Sequence, residues 1–286
     1  MNRLARIKDA LENLYDRYNH HRCIKPDPLQ FVYQYSSRAD MEIAALLAAV
    51  LAYGRVEQIE KSLTGLFARM GNSPFEFVSG FNQSSRHKLR DFRHRFTGGD
   101  DISDLLELLK MIFQEKGGIE DYFLSGYSGN DKNIIPALSR FCDSLLGMYA
   151  QSHKRSALRG LRYLLAGPAG GSACKRLNLF LRWMVRKDSV DTGLWSRIDR
   201  AKLLVPVDVH MGRLCRILGL YDQKTASLTA ALKITESFAE IEPADPVKYD
   251  FALSRIGIVQ DCTGSLCPGC EDCRLYEFCL KTEAQS

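Results

Sequence analysis

The sequence lacks a hydrophobic run long enough to cross a membrane. Its longest apolar stretch is IAALLAAVLAY, residues 43–53, whereas a membrane-spanning helix needs about 20 apolar residues. The N-terminal segment MNRLARIKDALENLYDRY is amphipathic and has no apolar core followed by a small-residue cleavage site, unlike a secretory signal. We therefore expect a cytoplasmic protein that has no membrane partner.

Strand-like alternation is scarce, and we find no internal repeats, low-complexity tracts or long linkers. Apolar residues instead recur with the helical period along most of the chain. An all-α fold class is predicted, and 286 residues allow one large domain or two intimate ones. Asp40 is the expected cap of the second helix. The predicted helical ranges are 4–18, 41–53, 56–71, 101–115, 133–150, 156–166, 172–188, 209–220, 227–241 and 245–260.

Positive charge is modest overall but locally dense. The net charge is +5, and the stretches RHKLRDFRHRF (86–96) and HKRSALRGLR (153–162) combine Arg, Lys and His with interleaved Phe or Leu. Solvated helix faces have the same composition. The stretches are also compatible with a polyanionic partner such as nucleic acid.

A glycine-rich turn followed by a basic helix makes residues 166–188 the first candidate site. Ser172 is the expected N-cap, and the N–H groups at this helix start can receive a phosphate. Ala173, Leu177, Phe180, Leu181 and Met184 form an apolar stripe, with Lys175, Asn178, Arg182 and Arg186 on the opposite face. On this segment alone, a surface helix is the favoured interpretation, although Trp183 fits it less well.

The segment PVDVH places a carboxylate, Asp208, at the start of another predicted helix. Asp is a strong N-cap because its oxygens accept hydrogen bonds from the first-turn N–H groups. Met211, Leu214, Cys215 and Leu218 then recur at helical spacing and are expected to face a core. Capping alone would make Asp208 a structural residue.

Five of the nine cysteines crowd into the tail, and in a cytoplasmic chain such clustering predicts a metal site. Cys270, Cys273 and Cys279 have x2 and x5 spacing, and Cys262 or Cys267 is the fourth candidate ligand. Four thiolates suit Zn²⁺ or an iron–sulfur cluster, so spacing alone leaves the metal open.

Together these segments resemble the helix–hairpin–helix DNA glycosylase superfamily, which includes endonuclease III. The resemblance implies an all-α fold in which an active-site cleft separates two helical domains, here residues 36–205 and residues 1–35 with 206–286. Asp208 in PVDVH matches the catalytic Asp of that superfamily. In the tail, residues 262–279, four cysteines match the loop that binds a [4Fe–4S] cluster, with one extra residue between the first two: Cys262, Cys270, Cys273 and Cys279.

The resemblance also implies a substrate and a set of contacts. The substrate would be double-stranded DNA carrying a damaged or abasic site, bound by a monomer. The segment IAALLAAVLAYGRVEQI resembles an early helix whose end fills the hole in the duplex, a role implied here for Tyr53 or Arg55. Trp183 or Phe180 would stack on the extruded base. The implied DNA-contacting residues are Tyr53, Arg55, Ser172, Arg182, Trp183 and Arg186.

The hairpin motif LPGVGRKTA of endonuclease III is absent, which changes where the nucleophilic lysine is expected. Lys175 is the lysine in a comparable helix-start context, and its long interval before Asp208 resembles that of archaeal 8-oxoguanine glycosylases. This implies a DNA glycosylase with AP-lyase activity on an oxidised purine, with Lys175 as nucleophile and Lys187 or Lys202 as lower-ranked candidates.

Two other functions are compatible with the sequence. The chain can be a non-catalytic DNA- or RNA-binding protein that keeps the fold and the metal loop, or a four-cysteine zinc protein with an unrelated helical enzyme body. The chain resembles a family of prokaryotic proteins of unassigned function more closely than it resembles the glycosylases. This resemblance covers most of the chain and is carried by the segments GSACKRLNLFLRWMVRKD, PVDVHMGRL and DPVKYDFAL.

Overall fold

A computed structural model describes residues 3–259, 262, 270–271 and 273–279. Helices dominate this part of the chain, which confirms the all-α prediction, and a single short hairpin is the exception within it. The elements are α1 (Arg3–Tyr18), α2 (Arg38–Val50), α3 (Val56–Met70), α4 (Pro74–Ser79), α5 (Gln83–Leu89), β1 (Arg93–His94), β2 (Thr97–Gly98), α6 (Gly99–Lys116), α7 (Ile119–Leu124), α8 (Ile135–His153), α9 (Arg159–Leu164), α10 (Lys175–Val185), α11 (Val209–Ile217), α12 (Leu228–Ile241) and α13 (Asp250–Val259).

The contacts divide the chain into two compact units. The continuous unit is Ile24–Gly170, and the split unit combines Met1–Cys23 with Gly171–Ser286. The domain boundaries implied by the resemblance, 35/36 and 205/206, fall inside these units. The boundary implied by the resemblance at 205/206 separates Lys175 from Asp208. In the structure both residues belong to the split unit.

In the continuous unit, α2 is buried along its length from Glu42 to Val50 because its side chains are nearly all Ala, Leu, Ile and Val. It packs against α4 and against the 3-10 helix Pro28–Gln34. The sequence-based N-cap of α2 was wrong: Ser37 is the cap, and its Oγ accepts from the Asp40 N–H.

Asp40 instead joins α2 to the start of α4, because its Oδ1 accepts from the Phe75 N–H and the Ser73 hydroxyl, both at 2.8 Å. Burial alone would raise the pKa of Asp40, but hydrogen bonds from Ser37, Phe75 and Ser73 hold it below its usual value.

In the split unit, α12 and α13 both pack against α1 and α11. Apolar side chains of α12 and α13, such as Ile234, Phe238 and Leu253, are fully buried. Burial of this apolar surface is the main source of stability for the unit. Among the described residues, every helix is too short or too polar to span a bilayer.

Candidate active site around Lys175 and Asp208

The chain enters α10 through a tight turn that makes Lys175 the first helical residue. The predicted N-cap, Ser172, was wrong: Cys174 occupies that position with a left-handed φ of 48°, and the Ser172 Oγ accepts from the Cys174 N–H at 3.1 Å. The Leu228 N–H donates to the Gly171 carbonyl at 3.0 Å. The start of α10 is therefore fixed on the start of α12.

Asp208 caps α11, as its sequence context predicts. Its Oδ1 accepts from the N–H groups of His210 and Met211, each at 2.9 Å. Its Oδ2 lies 3.6 Å from Nζ of Lys175. The two side chains are 30% and 39% exposed, so solvent and a substrate can reach both.

Two helix N-termini meet at this pair, since Lys175 begins α10 and Asp208 caps α11. Unpaired N–H groups give each helix start a partial positive charge, which favours an anionic group nearby. An amine, a carboxylate and two helix N-termini thus converge on one accessible place. This combination suits proton transfer and nucleophilic attack next to a phosphate.

Below the pair, a buried network of charges joins α10 to α13. Arg182 pairs with Asp191 at 3.2 Å and makes a close contact with Asp250 on α13. Arg186 pairs with Asp191 at 2.5 Å, with Asp188 at 2.8 Å and with Asp245 at 2.9 Å. Each guanidinium is therefore neutralised inside the protein.

The network has clear electrostatic consequences. Burial alone would lower the pKa of Arg186, but the carboxylates of Asp191, Asp245 and Asp188 raise it overall, so Arg186 stays charged. Burial raises the pKa of Asp250, and the charge of Asp208 adds to that rise while Arg182 opposes it. The pKa of Asp250 therefore depends on the charges of Lys175 and Asp208.

These positions correct three of the expected DNA contacts. Arg182 and Arg186 are buried in ion pairs, and Trp183 is fully buried. Phe180 is also buried and packs edge-on against Trp195 at 5.1 Å. The surface-helix interpretation fails for the same reason, because Arg182 and Arg186 on the polar face of α10 are paired with buried carboxylates of the split unit and do not face water.

The other expected DNA contacts have mixed outcomes. Ser172 is half-buried beside the start of α10. Arg55 is the exposed N-cap residue of α3, and its side chain makes no cap hydrogen bond. Tyr53 is half-buried, and its hydroxyl donates to the His94 carbonyl at 2.9 Å. Lys187 is exposed after α10, and Lys202 ends a 3-10 turn before α11.

Part of the cysteine tail is described and lies against α1. The Cys273 N–H donates to the Cys270 carbonyl at 3.0 Å, so the x2 spacing forms one tight turn. Leu275 and Phe278 are buried, and Arg6 of α1 pairs with Glu277 at 2.7 Å.

Among the described residues, the cysteines do not form a group of three ligand atoms within 4.8 Å of one another. In the described part of the chain, the group with three ligand-type atoms within 4.8 Å of one another is Asp104, Glu107 and His153, which contains no cysteine. Cys267 lies outside the described residues, so the choice between Cys262 and Cys267 stays a prediction.

Sequence reasoning missed the acidic partners Asp191, Asp245 and Asp250. One signal was present: two arginines four residues apart, 182 and 186, beside Trp on a helix that also carries a full apolar stripe. Buried arginines at that spacing require carboxylates from elsewhere in the chain. The sequence did not indicate which aspartates supply them.

Of the comparisons with known proteins, the one against family models gives a match. No curated protein and no solved structure matches the chain. A family model described as protein of unknown function, DUF2400, matches residues 27–259. Because this match covers most of the chain, including Lys175, Asp208 and the carboxylates around Arg182 and Arg186, the protein belongs to the DUF2400 family.

Proposed function

We propose that this protein is a DNA base-excision glycosylase with AP-lyase activity, and that Lys175 is its nucleophile. The observation that carries the proposal is the 3.6 Å contact between Lys175 Nζ and Asp208 Oδ2 at the meeting point of two helix N-termini. The resemblance to helix–hairpin–helix glycosylases supports the same two residues, a two-domain glycosylase-like fold and an oxidised purine as the base.

The chemistry follows from the pair. Asp208 accepts a proton from Lys175, and the neutral amine attacks C1′ of the damaged nucleotide while the bond from C1′ to the base breaks. The base leaves with the bonding electrons and takes up a proton. The nitrogen then loses a proton and forms a double bond to C1′, while the C1′–O4′ bond breaks and O4′ takes up a proton. The resulting Schiff base acidifies the C2′ proton, and removal of that proton breaks the C3′–O bond, expels the 3′ phosphate and cleaves the strand. The target base must first leave the stack.

The buried network supports this role by holding the pair in place. Arg182 links α10 to Asp250 of α13, and α13 packs against α11, whose cap is Asp208. The relative position of Lys175 and Asp208 is therefore set by charges that water does not reach. Catalytic pairs held by such buried contacts keep their geometry during the reaction.

Borohydride trapping tests the proposal. The natural protein is expected to form a covalent adduct with a duplex that contains an abasic site or 8-oxoguanine, because borohydride reduces a Schiff base. Lys175→Ala should abolish the adduct and leave duplex binding intact. Lys187→Ala and Lys202→Ala are the matched controls and should trap normally.

The outcomes separate the alternatives. Persistent trapping in Lys175→Ala would assign the nucleophile to another lysine. Duplex binding without an adduct over a broad panel of lesions would favour the non-catalytic nucleic-acid-binding protein.

We further propose that the tail binds a [4Fe–4S] cluster through Cys262, Cys270, Cys273 and Cys279. The donor set fits, since all four are thiols of intermediate exposure and Cys262 follows α13 closely. The cluster would supply folding free energy to a segment that has few apolar residues of its own. Zn²⁺ is the alternative metal for the same ligands.

A further inference from the structure

The β1–β2 hairpin of the continuous unit projects an aromatic side chain into solvent. Arg95 and Phe96 form its two-residue turn, and Phe96 is 72% exposed. Arg95 has a left-handed φ of 51°, a conformation that is unfavourable for a non-glycine residue. Folding gains little from such a turn, because it exposes the ring that it carries.

The base of the hairpin is held rigidly. His94 and Thr97 are fully buried. Nε2 of His94 lies 3.0 Å from the Tyr53 carbonyl, which can only accept, so Nε2 carries the proton. Nδ1 of His94 lies 2.9 Å from the Ser62 hydroxyl, and the Tyr53 hydroxyl lies 2.8 Å from Oγ1 of Thr97. The tip is therefore a fixed projection.

A ladder of rings runs from this base to the tip. Tyr53 contacts His94 edge-on at 4.6 Å and Tyr163 of α9 at 5.2 Å. Tyr163 in turn contacts Phe96 at 6.2 Å. Tyr53, expected to fill a gap in DNA, thus supports the hairpin from beneath.

Exposed arginines lie on the hairpin and in segments that adjoin it in the sequence or pack beside it. The guanidinium of Arg95 lies over the Phe96 ring at 5.4 Å. The packing of Tyr163 on Phe96, and of α9 on β2, brings together the two basic stretches that stood out in the sequence, 86–96 and 153–162. The exposed arginines of these stretches and of the adjoining start of α3 are Arg55, Arg90, Arg93, Arg95, Arg155, Arg159 and Arg162.

Acidic residues offset part of this charge, and exposed Glu57 in the first turn of α3 is one of them. Asp91 is exposed and pairs with Arg90 at 3.3 Å, and Asp100 is exposed and lies 3.7 Å from Arg86. The surface therefore keeps an excess of positive charge around an exposed aromatic ring. A polyanion that also offers flat π-faces satisfies both features, and nucleic acid is that polymer.

We propose that this hairpin tip is a DNA-contacting surface on which Phe96 stacks against a base at an interruption of the duplex, while the arginines bind the flanking phosphates. Apolar side chains insert in this way where a base stack is already broken, because little unstacking free energy is then required. The inference rests on the proposed function in taking duplex DNA as the partner.

Tryptophan fluorescence provides a direct test. Both natural tryptophans, Trp183 and Trp195, are fully buried. The indole introduced by Phe96→Trp will therefore be the solvent-accessible one in the described part of the chain. A duplex with a stable abasic analogue should quench that accessible emission by stacking, and the intact duplex should quench it much less.

Affinity measurements complete the test. Phe96→Ala should weaken binding to the abasic-analogue duplex about tenfold, since stacking on one aromatic side chain has roughly this effect on affinity. Binding to the intact duplex should change less than about twofold, because phosphate contacts dominate there. Leu158→Ala, a change at another exposed apolar residue, is the matched control and should preserve the preference for the abasic duplex.

The possible results distinguish this inference from the proposed function. Quenching without borohydride trapping would retain the hairpin surface and reject the lyase. Lysine-dependent trapping, with neither quenching nor an effect of Phe96→Ala, would reject the hairpin surface alone. Failure of the natural protein to bind DNA would reject both. Quenching by single-stranded RNA and not by the duplex would overturn the choice of DNA.

Discussion

Asp208 has a structural role as a helix cap and, under the proposed function, a chemical role as well, and single substitutions can separate the two. Its Oδ1 accepts two N–H groups at the start of α11, while its Oδ2 faces Lys175. Asn is as good an N-cap as Asp. Asp208→Asn should therefore leave the free energy of unfolding nearly unchanged and strongly reduce borohydride trapping, because the amide cannot accept the proton of Lys175.

Asp208→Ala is expected to lose both roles, with a fall of about 1 kcal/mol in the free energy of unfolding. Urea unfolding and adduct yield measure the two effects. Asn82→Ala is the matched control, since Asn82 caps α5 through two N–H groups and lies in the continuous unit. It should reduce stability and leave trapping intact. Normal trapping in Asp208→Asn would limit Asp208 to capping.

At the scale of elements, α10 depends on buried ion pairs as much as on its apolar stripe. Arg186 faces three carboxylates. Replacing it with Met removes the guanidinium partner of Asp188 and Asp245 and leaves Asp191 with Arg182 alone, which costs roughly 3–5 kcal/mol of stability. Arg140→Met is the control, because the Arg140–Asp131 pair is half-exposed and such pairs contribute about 1 kcal/mol or less. Equal stabilities of the two variants would contradict the structural importance of the network.

The same pairs predict how stability responds to acid. Burial alone would raise the pKa of Asp188, but Arg186 and the N–H groups of Asp191 and Val190 lower it overall. A lowered folded-state pKa contributes stability above the unfolded pKa of about 4 and loses it as pH falls through the folded value. The free energy of unfolding should therefore fall below pH 4, and Asp188→Asn should flatten that fall relative to the exposed Asp9→Asn.

The sequence predicted α1, α3, α6 and α12 almost to the residue, because each has an unbroken apolar stripe or a clear cap. It missed α4 and α5, which are only six and seven residues long. The sequence predicted helix α10 at nearly its observed position but wrongly assigned its arginine-bearing face to the surface. Its position follows from local periodicity, whereas the burial of Arg182 follows from Asp250, distant in the chain.

The cysteine tail yields a prediction about metal. We expect anaerobically purified protein to be brown and to contain iron and sulfide, whereas a colourless protein with stoichiometric zinc would contradict a [4Fe–4S] cluster. Cys262→Ser should lose the cluster, with Cys267→Ser as its matched control. Loss in Cys267→Ser alone would identify Cys267 as the first ligand.

At the scale of the whole molecule, local sequence context predicted the Asp208 cap, whereas its contact with Lys175 depends on how α10 and α11 pack. The pairing of Lys175 with Asp208 was anticipated only through the resemblance to helix–hairpin–helix glycosylases. The exposed hairpin tip at Phe96 was not predicted. Each of its two strands has only two residues, which is too short to show the alternation of polar and apolar side chains typical of a strand. Its position beside Tyr163 arises from tertiary packing of α9.

The net charge of +5 is small for a DNA-binding protein, so affinity should depend on where the cations lie. Each phosphate neutralised by the protein releases condensed counterions, and log affinity then falls linearly with log salt at about 0.9 per phosphate. Arg159→Ala, at the exposed start of α9, should lower the slope by about 0.9 if it binds one phosphate. Arg140→Ala should not change the slope, because Arg140 already pairs with Asp131.

Phe96→Ala should weaken binding to an interrupted duplex without altering this slope, since stacking releases no counterions. Titrations of one duplex at several salt concentrations, for the natural protein and the three variants, measure both quantities. A flat salt response in the natural protein would exclude nucleic acid as the substrate class. A slope that changes with Phe96→Ala would mean that the hairpin tip sets the approach of the arginines to the phosphates rather than stacking independently of them.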